Sequence, residues 1–234
     1  MKVCIDRDFI INRYITGKGI EIGALHNPVK LPQNVNVKYV DRMSVSELRK
    51  QYPELNSREI VNVDIIDDGE KLEKFQDCTQ DFVIANHFLE HCQNPIGAIL
   101  NMLRIQKVGG ILFFSIPDKR YTFDIDRPIT TFEHLLRDYE IGPDVSKRSH
   151  FEEWVHYINK VQDSEEIQRQ AIYLMSIDYS IHYHVWTQMD ILELILAVRN
   201  KLASKFEIEL FFQNNKEIVV VLKKLSKINF CFRL

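Results

Sequence analysis

Organised cysteine is missing from this chain. Cys4, Cys78, Cys92 and Cys231 are its four cysteines, widely scattered, with no CxxC pair. Zinc ribbons and disulfide frameworks both need a regular spacing, so four reduced thiols are expected. A surplus of positive charge is missing too: 30 Lys and Arg against 33 Asp and Glu leave a net charge of −3. Binding a phosphate backbone draws on a basic excess or cluster, so nucleic acid is not an expected partner. No apolar run approaches the roughly 18 residues of a membrane span. The opening stretch MKVCIDRDFIINRYITGKG lacks the uninterrupted apolar core of a secretory signal. A cytoplasmic protein without a membrane span is therefore expected. Internal repeats and low-complexity tracts are also absent.

What is present is ordinary for a globular chain: 45% hydrophobic and 27% charged residues. A chain of 234 residues can bury about 70% or more of its unfolded surface without staples, and residues 1–234 read as a single domain. Short apolar runs at 18–23, 35–41, 59–66, 81–86 and 110–116 are rich in Ile, Val and Phe, as buried parallel strands should be. Between them, 44–51 follows a serine cap. Residues 95–107 place Ile96, Ile99, Leu100 and Leu103 at helical spacing, with Pro95 at the start and Gly109-Gly110 beyond the end. Alternating strands and helices predict a parallel sheet with helices on both faces. Residues 118–185 carry helical periodicity and no convincing strand, predicting a helical cap over the ligand edge of the sheet. Residues 187–203 return to an amphipathic helix. Strands at 206–213 and 217–223 flank Asn214-Asn215-Lys216, a hairpin signature. Residues 225–234 read as a loose tail.

Four successive strand ends carry suitable polar groups. The first ends in Glu21-Ile22-Gly23-Ala24, where the glycine lets a ligand approach the backbone and the carboxylate accepts hydrogen bonds. The second ends in Asp41, next to Arg42, where a carboxylate can take both hydroxyls of a ribose or, alternatively, cap the following helix. Asp64 lies on the third strand and Asp67-Asp68-Gly69 follows it. The fourth ends in Asn86-His87, followed by Phe88-Leu89-Glu90-His91.

Those residues, with the stretch DFVIANHFLEH (81–91) and Gly109-Gly110, resemble class I S-adenosylmethionine (SAM)-dependent methyltransferases, in a bacterial subgroup marked by an LEH ending after the fourth strand. The resemblance implies an α/β fold: a Rossmann-like doubly wound sheet of seven strands with an antiparallel last strand, plus a helical insertion after the fifth strand. It implies SAM as cofactor and S-adenosylhomocysteine as product. Glu21 and Gly23 would shape the loop beneath the methionine moiety, Asp41 would hold the ribose, Asp68 and Gly69 would meet the adenine, and Asn86 would sit beside the sulfonium, with Ala24, Arg42, Asp64 and His87 around them. The family loop reads E-x-G-x-G-x-G, whereas Leu25 and Asn27 stand at the later glycine positions here. Side chains such as Asn27 or His26 are the expected substitute contacts. The segment IPDKRYTFDIDRPITTFEHLLRDYE, from Ile116 onward, resembles methyltransferases of surface-glycan biosynthesis, implying a sugar or a phosphorylated or nucleotide-linked precursor of a bacterial surface polysaccharide as acceptor.

Methyl transfer to oxygen or nitrogen needs a positioned acceptor and removal of a proton, a task that suits histidine. His87, His91, His134, His182 and His184 are the candidate bases, with His134, His184 and His91 preferred. Lys119, Arg120 and Arg127 suit an acidic acceptor, or else form a solvated loop paired with Asp118, Asp124 and Asp126. Tyr121, His182 and Trp186 complete the expected acceptor wall. His182 and His184 alternate, so an extended segment would point both one way, as a ligand pair, a base with its partner, or a polar core contact. Asp118, Asp124 and Asp126 could supply oxygen ligands to a divalent cation, but their spacing matches no known metal loop, so no metal site is assigned. Two rival readings remain: a scaffold that has lost its chemistry, which the altered loop favours, and an NAD-binding oxidoreductase, which the missing G-x-G-x-x-G opposes.

Overall fold

The apolar runs pair side by side in a computed structural model that describes residues 6–202 and 204–226. Strands β1 (Lys18–Ile22), β2 (Asn36–Asp41), β3 (Ile65–Ile66), β4 (Gln80–Asn86), β5 (Gln106–Pro117), β6 (Phe206–Asn214) and β7 (Glu217–Lys224) form one sheet in the order β3-β2-β1-β4-β5-β7-β6. The first five run parallel, and β7 is antiparallel to both β5 and β6. The expected Rossmann-like doubly wound sheet of seven strands, with its last strand antiparallel, is thus the observed one. Chain order reverses between β1 and β4, which is where such sheets leave a crevice at their carboxyl edge.

Alternation along the central strands sorts side chains to two faces. Val83, Ala85, Leu112, Phe114, Val220 and Leu222 pack with α3 (Pro95–Ile105) and α7 (Gln188–Lys201). Phe82, Ile84, Phe113, Val219 and Val221 pack with Ile10 and Ile11 of α1 (Arg7–Tyr14). Asp6 caps α1 by accepting from the Phe9 N–H at 2.8 Å. Helix α2 (Val45–Gln51) starts with a capping box in which Ser44 and Glu47 satisfy each other's backbone N–H groups. Asp41 is therefore not its cap. Helices α4 (Phe132–Ile141), α5 (Asp144–Tyr157) and α6 (Ser164–Ser176) occupy the predicted helical insertion. They carry a separate apolar cluster in which Phe151, Trp154, Val155 and Ala171 pack with Ile181 and Tyr183.

Three boundaries differ from the sequence pattern. The strand expected over 59–66 shrinks to two residues because its backbone is engaged elsewhere: Val61 donates to Leu25 O and Asp64 to Tyr39 O, both at 2.9 Å. Helix α3 stops at Ile105, and β5 starts at once with Gln106, which pairs with Gln80 before a register shift. The hairpin between β6 and β7 turns on Asn215-Lys216, with Asn215 at φ +54° and Asn214 inside the strand. Of the expected tail, residues 227–234 lie outside the described residues. Cys78 and Cys92 are free thiols, as expected, while Cys4 and Cys231 fall outside the described residues.

Candidate functional site

Glu21 is 1% exposed, and both its oxygens accept from the Val29 N–H at 3.1 and 3.2 Å, which folds the 23–29 loop back over the end of β1. Burial outweighs that hydrogen bond and the nearby Arg7, and pushes the Glu21 pKa up to about 7. Gly23 follows at φ +66°, a left-handed conformation that suits glycine. Leu25, at one of the family's glycine positions, adopts φ +49°, so the left-handed turn persists without the glycine.

This loop forms one wall of a cavity of about 540 Å³ at the carboxyl ends of β1, β2 and β4. Gly23, Leu25, Asp41, Arg42, Asp68, Gly69, His87 and His91, eight residues foreseen or weighed from sequence, line it. Asp41 Oδ1 accepts from the Arg42 N–H at 2.7 Å, and burial holds the Asp41 pKa above the usual carboxylate range against that bond. Gly69 is packed so closely that a Cβ would lie 2.7 Å from both Ile22 Cγ2 and Phe88 Cζ. Opposite, Asp178, Tyr179, Ser180 and Tyr183 close the cavity from the insertion. They are held by the Arg42–Asp178 ion pair and by a 3.1 Å bond from Gln51 Nε2 to Asp178 O.

A second cavity, of about 620 Å³, lies on the other side of His87. It is lined by His87, Pro117, Thr122, Phe123, His182 and the β6–β7 turn through Glu217. His87 bridges two carboxylates, with Nε2 at 2.9 Å from Glu217 and Nδ1 at 3.3 Å from Glu90. Burial alone would lower its pKa, but the hydrogen bonds to Glu217 and Glu90 prevail and raise it to about 9. Glu217, also bound by Arg7 of α1, drops to about 2, since His87 and Arg7 outweigh its burial.

Other sequence-based expectations are displaced. Ala24 and Asn27 do not line either cavity, and Asn27 is exposed, donating its N–H to Ala24 O at 2.9 Å. The Asp64 carboxylate accepts from the Tyr39 N–H at 2.8 Å, a bond between β2 and the start of β3. Asn86 accepts from Ser115 Oγ at 3.0 Å, and its buried Nδ2 has no partner. His134 and His184 meet His150 in a cluster away from both cavities; His134 and His150 face each other, Nε2 to Nε2, at 3.0 Å. His182 and His184 thus join two different clusters rather than acting as a pair.

The basic group separates as well. Lys119 donates to Ile125 O at 2.7 Å, and Arg120 binds both oxygens of buried Asp118. Neither they nor Tyr121 line a cavity. Arg127 is 2% exposed and spends its guanidinium on Asp124, Glu153, His182 O and Tyr183 O, so it fastens the insertion and has no free donor to offer an acceptor. Trp186 is 1% exposed and stacks on His184, which rules out stacking on a sugar ring. Sequence reasoning missed Arg7, Glu217, His150 and the 178–180 wall. Glu90 stood inside the quoted motif without a role.

The solved structures most similar in shape include a Rhodobacter sphaeroides protein described as a Zn-dependent alcohol dehydrogenase, at 14% identity and TM-score 0.53, covering 94% of this chain and 89% of that one. Another is a SAM-dependent methyltransferase from Methanosarcina mazei, at 16% identity and TM-score 0.50, covering 93% and 98%. At such identities both speak for the fold alone. No curated protein sequence matches the chain. The methyltransferase domain family matches residues 15–176, more than half of the chain. The chain belongs to the methyltransferase domain family, whose activity implies SAM as the cofactor.

Proposed function

We propose that this chain is a class I, LEH-type methyltransferase that transfers the SAM methyl group to a hydroxyl of a sugar, or of a phosphorylated or nucleotide-linked precursor of a bacterial surface polysaccharide. The observation that carries the reading is the pair of cavities meeting at His87, one holding Asp41 at a strand end and the other opening beside it. The residues present fit the cofactor. A cavity of about 540 Å³ falls within the roughly 300–1,000 Å³ of small-molecule sites. The Asp41 carboxylate can accept from ribose hydroxyls, Asp68 and Gly69 border the adenine end, and the orphaned Asn86 Nδ2 is a donor at the β4 terminus. Bound SAM supplies an electrophilic methyl group on a sulfonium. The protein positions the acceptor and excludes water. The 118–185 insertion walls both cavities and is the proposed acceptor-binding cap, with His182 and Phe123 on the acceptor side.

Of His134, His184 and His91, the three preferred as base, His91 alone borders a cavity. Its Nδ1–H donates to Ile181 O at 2.9 Å, leaving Nε2 with a lone pair able to take a proton or hold a cation. With Arg127 and Trp186 internal, the acceptor side rests on the lining of the second cavity, Lys216 among it.

Calorimetric titration with SAM, S-adenosylhomocysteine and NAD tests the reading. Micromolar binding of both adenosyl ligands and none of NAD is expected. Absence of adenosyl binding by the folded protein would bring the scaffold reading forward.

A further inference from the structure

The segment Leu89–His91 follows β4 as one 3-10 turn, and Glu90 points inward at 1% exposure. Its backbone is fastened to the insertion, because Tyr183 donates to Glu90 O at 2.7 Å. Its carboxylate is fastened on one side only. Of its two oxygens, Oε1 is paired with His87 Nδ1 at 3.3 Å, and Oε2 has no partner among the described residues. A buried carboxylate oxygen without a partner is costly, so Oε2 has room for a further ligand.

Two imidazoles face it. His91 Nδ1 lies 2.9 Å from Ile181 O, and His182 Nδ1 lies 2.7 Å from Asp124 Oδ2. Carbonyl and carboxylate oxygens only accept, so both Nδ1 atoms carry a proton, and in the neutral form of each ring Nε2 is the nitrogen left to ligate. Donating the far ring N–H to a carbonyl or carboxylate is the arrangement that orients metal-binding histidines. One ligand atom from each of Glu90, His91 and His182 lies within 4.8 Å of the others.

We propose that Glu90, His91 and His182 bind a divalent first-row transition metal ion at the junction of the two cavities. Two imidazoles and one carboxylate suit Mn²⁺, Fe²⁺, Co²⁺ or Zn²⁺ better than Mg²⁺ or Ca²⁺, which favour all-oxygen sets. Three protein ligands leave further coordination positions. His91 lines the cofactor cavity and His182 the acceptor cavity, so those positions serve an acceptor hydroxyl. That last use rests on the methyl-transfer reading; binding of the ion does not.

A second cluster, His134, His150 and His184, has the same ligand count. There, however, His134 and His150 already bond to each other, and His134 Nε2 lies 3.1 Å from Asp138 Oδ2. His184 Nδ1 has no partner there, but the cluster borders neither cavity. It serves as the internal control.

The test is titration of the chelator-stripped full chain with Co²⁺ and, separately, Mn²⁺, followed by calorimetry and the visible spectrum of bound cobalt. One equivalent should bind, with a cobalt spectrum of mixed nitrogen and oxygen ligation. His182→Gln and Glu90→Gln should each weaken binding by roughly 10–100-fold, whereas His150→Gln should leave it unchanged. S-adenosylhomocysteine titration of each variant reports whether its fold and cofactor cavity persist, and so separates loss of the ion from failure of the methyltransferase reading. If Glu90→Gln does not fold, His182→Gln alone decides. A wild-type chain that binds S-adenosylhomocysteine but neither ion overturns the proposal. So does ion binding that survives His182→Gln or is lost in His150→Gln.

Discussion

Asp41 stands at the end of β2 with one oxygen held by the Arg42 N–H and its side chain in the cavity. Its removal subtracts a charged acceptor from the site and little from the sheet. Asp41→Ala should weaken S-adenosylhomocysteine binding by about 2 kcal/mol, roughly 30-fold, with an unchanged unfolding midpoint. Unaltered affinity would remove Asp41 from the site. Glu21 acts on stability instead. Its folded pKa, about 7, lies above its ordinary value of 4.5, because burial disfavours the charged form. The stabilising contribution is therefore complete below pH 4.5 and disappears as pH rises through 7. A gap of that size corresponds to about 3 kcal/mol. Glu21→Gln keeps an acceptor for the Val29 N–H but cannot ionise. Between pH 5 and 8 the wild type should lose stability relative to this variant, as read from urea midpoints; parallel pH profiles would contradict the assignment.

The insertion between β5 and α7 is tied together by a few polar fasteners. Arg127 is the most buried of these, bonding to Asp124 at 2.9 Å, Glu153 at 2.8 Å and His182 O at 2.8 Å. It joins the turn after β5, helix α5 and the 182–183 segment. Removing one side of a buried ion pair leaves Asp124 uncompensated and costs about 3–5 kcal/mol. Arg127→Ala should lower the melting temperature by roughly 10 °C. Arg127→Lys should not restore it, because one ammonium cannot serve a planar set of acceptors. A melting temperature within error of wild type for either variant would show that the insertion is held by its apolar cluster instead.

Stability is distributed unevenly over the molecule. Strands β4, β5 and β7 are buried between apolar layers on both faces, while α6 buries Ala171 on an otherwise more open helix. Native-state hydrogen exchange should find the slowest amides in these central strands and faster exchange in α6. Asp178, Tyr179, Ser180 and Tyr183 wall the cofactor cavity from the insertion side. Ligand binding should therefore slow exchange over 178–183 as well as in the 23–29 loop. Protection of the loop without the 178–183 segment would mean that the cofactor leaves that wall untouched.

Local pattern is enough to read the strands β1, β2, β4, β6 and β7, helices α2, α3 and α7, and the polar groups at four strand ends. Each depends on side-chain period, cap chemistry or turn residues close by in the chain. The strand foreseen over 59–66 came out as the two-residue β3 because Val61 and Asp64 bond to Leu25 and Tyr39, which are distant in sequence. Helix α1 escaped because its capping Asp6 and adjacent Ile10 and Ile11 make a short apolar stretch without a clear helical stripe. Histidine spacing alone could not divide His182 from His184, nor show that His134 and His184 lie away from the cavities. Those outcomes depend on which helix packs beside each ring. Lys119, Arg120 and Arg127 are near neighbours in the chain, yet folding pairs them with Ile125 O, Asp118 and Asp124 and buries Arg127. The amino-acid order thus carries the sheet and its cofactor edge, because periodicity and strand-end chemistry are local. The composition of the acceptor side, with Glu90 and His182 drawn together across 92 positions of sequence, came from packing of the insertion, since burial and hydrogen-bond partners there join residues far apart in the chain.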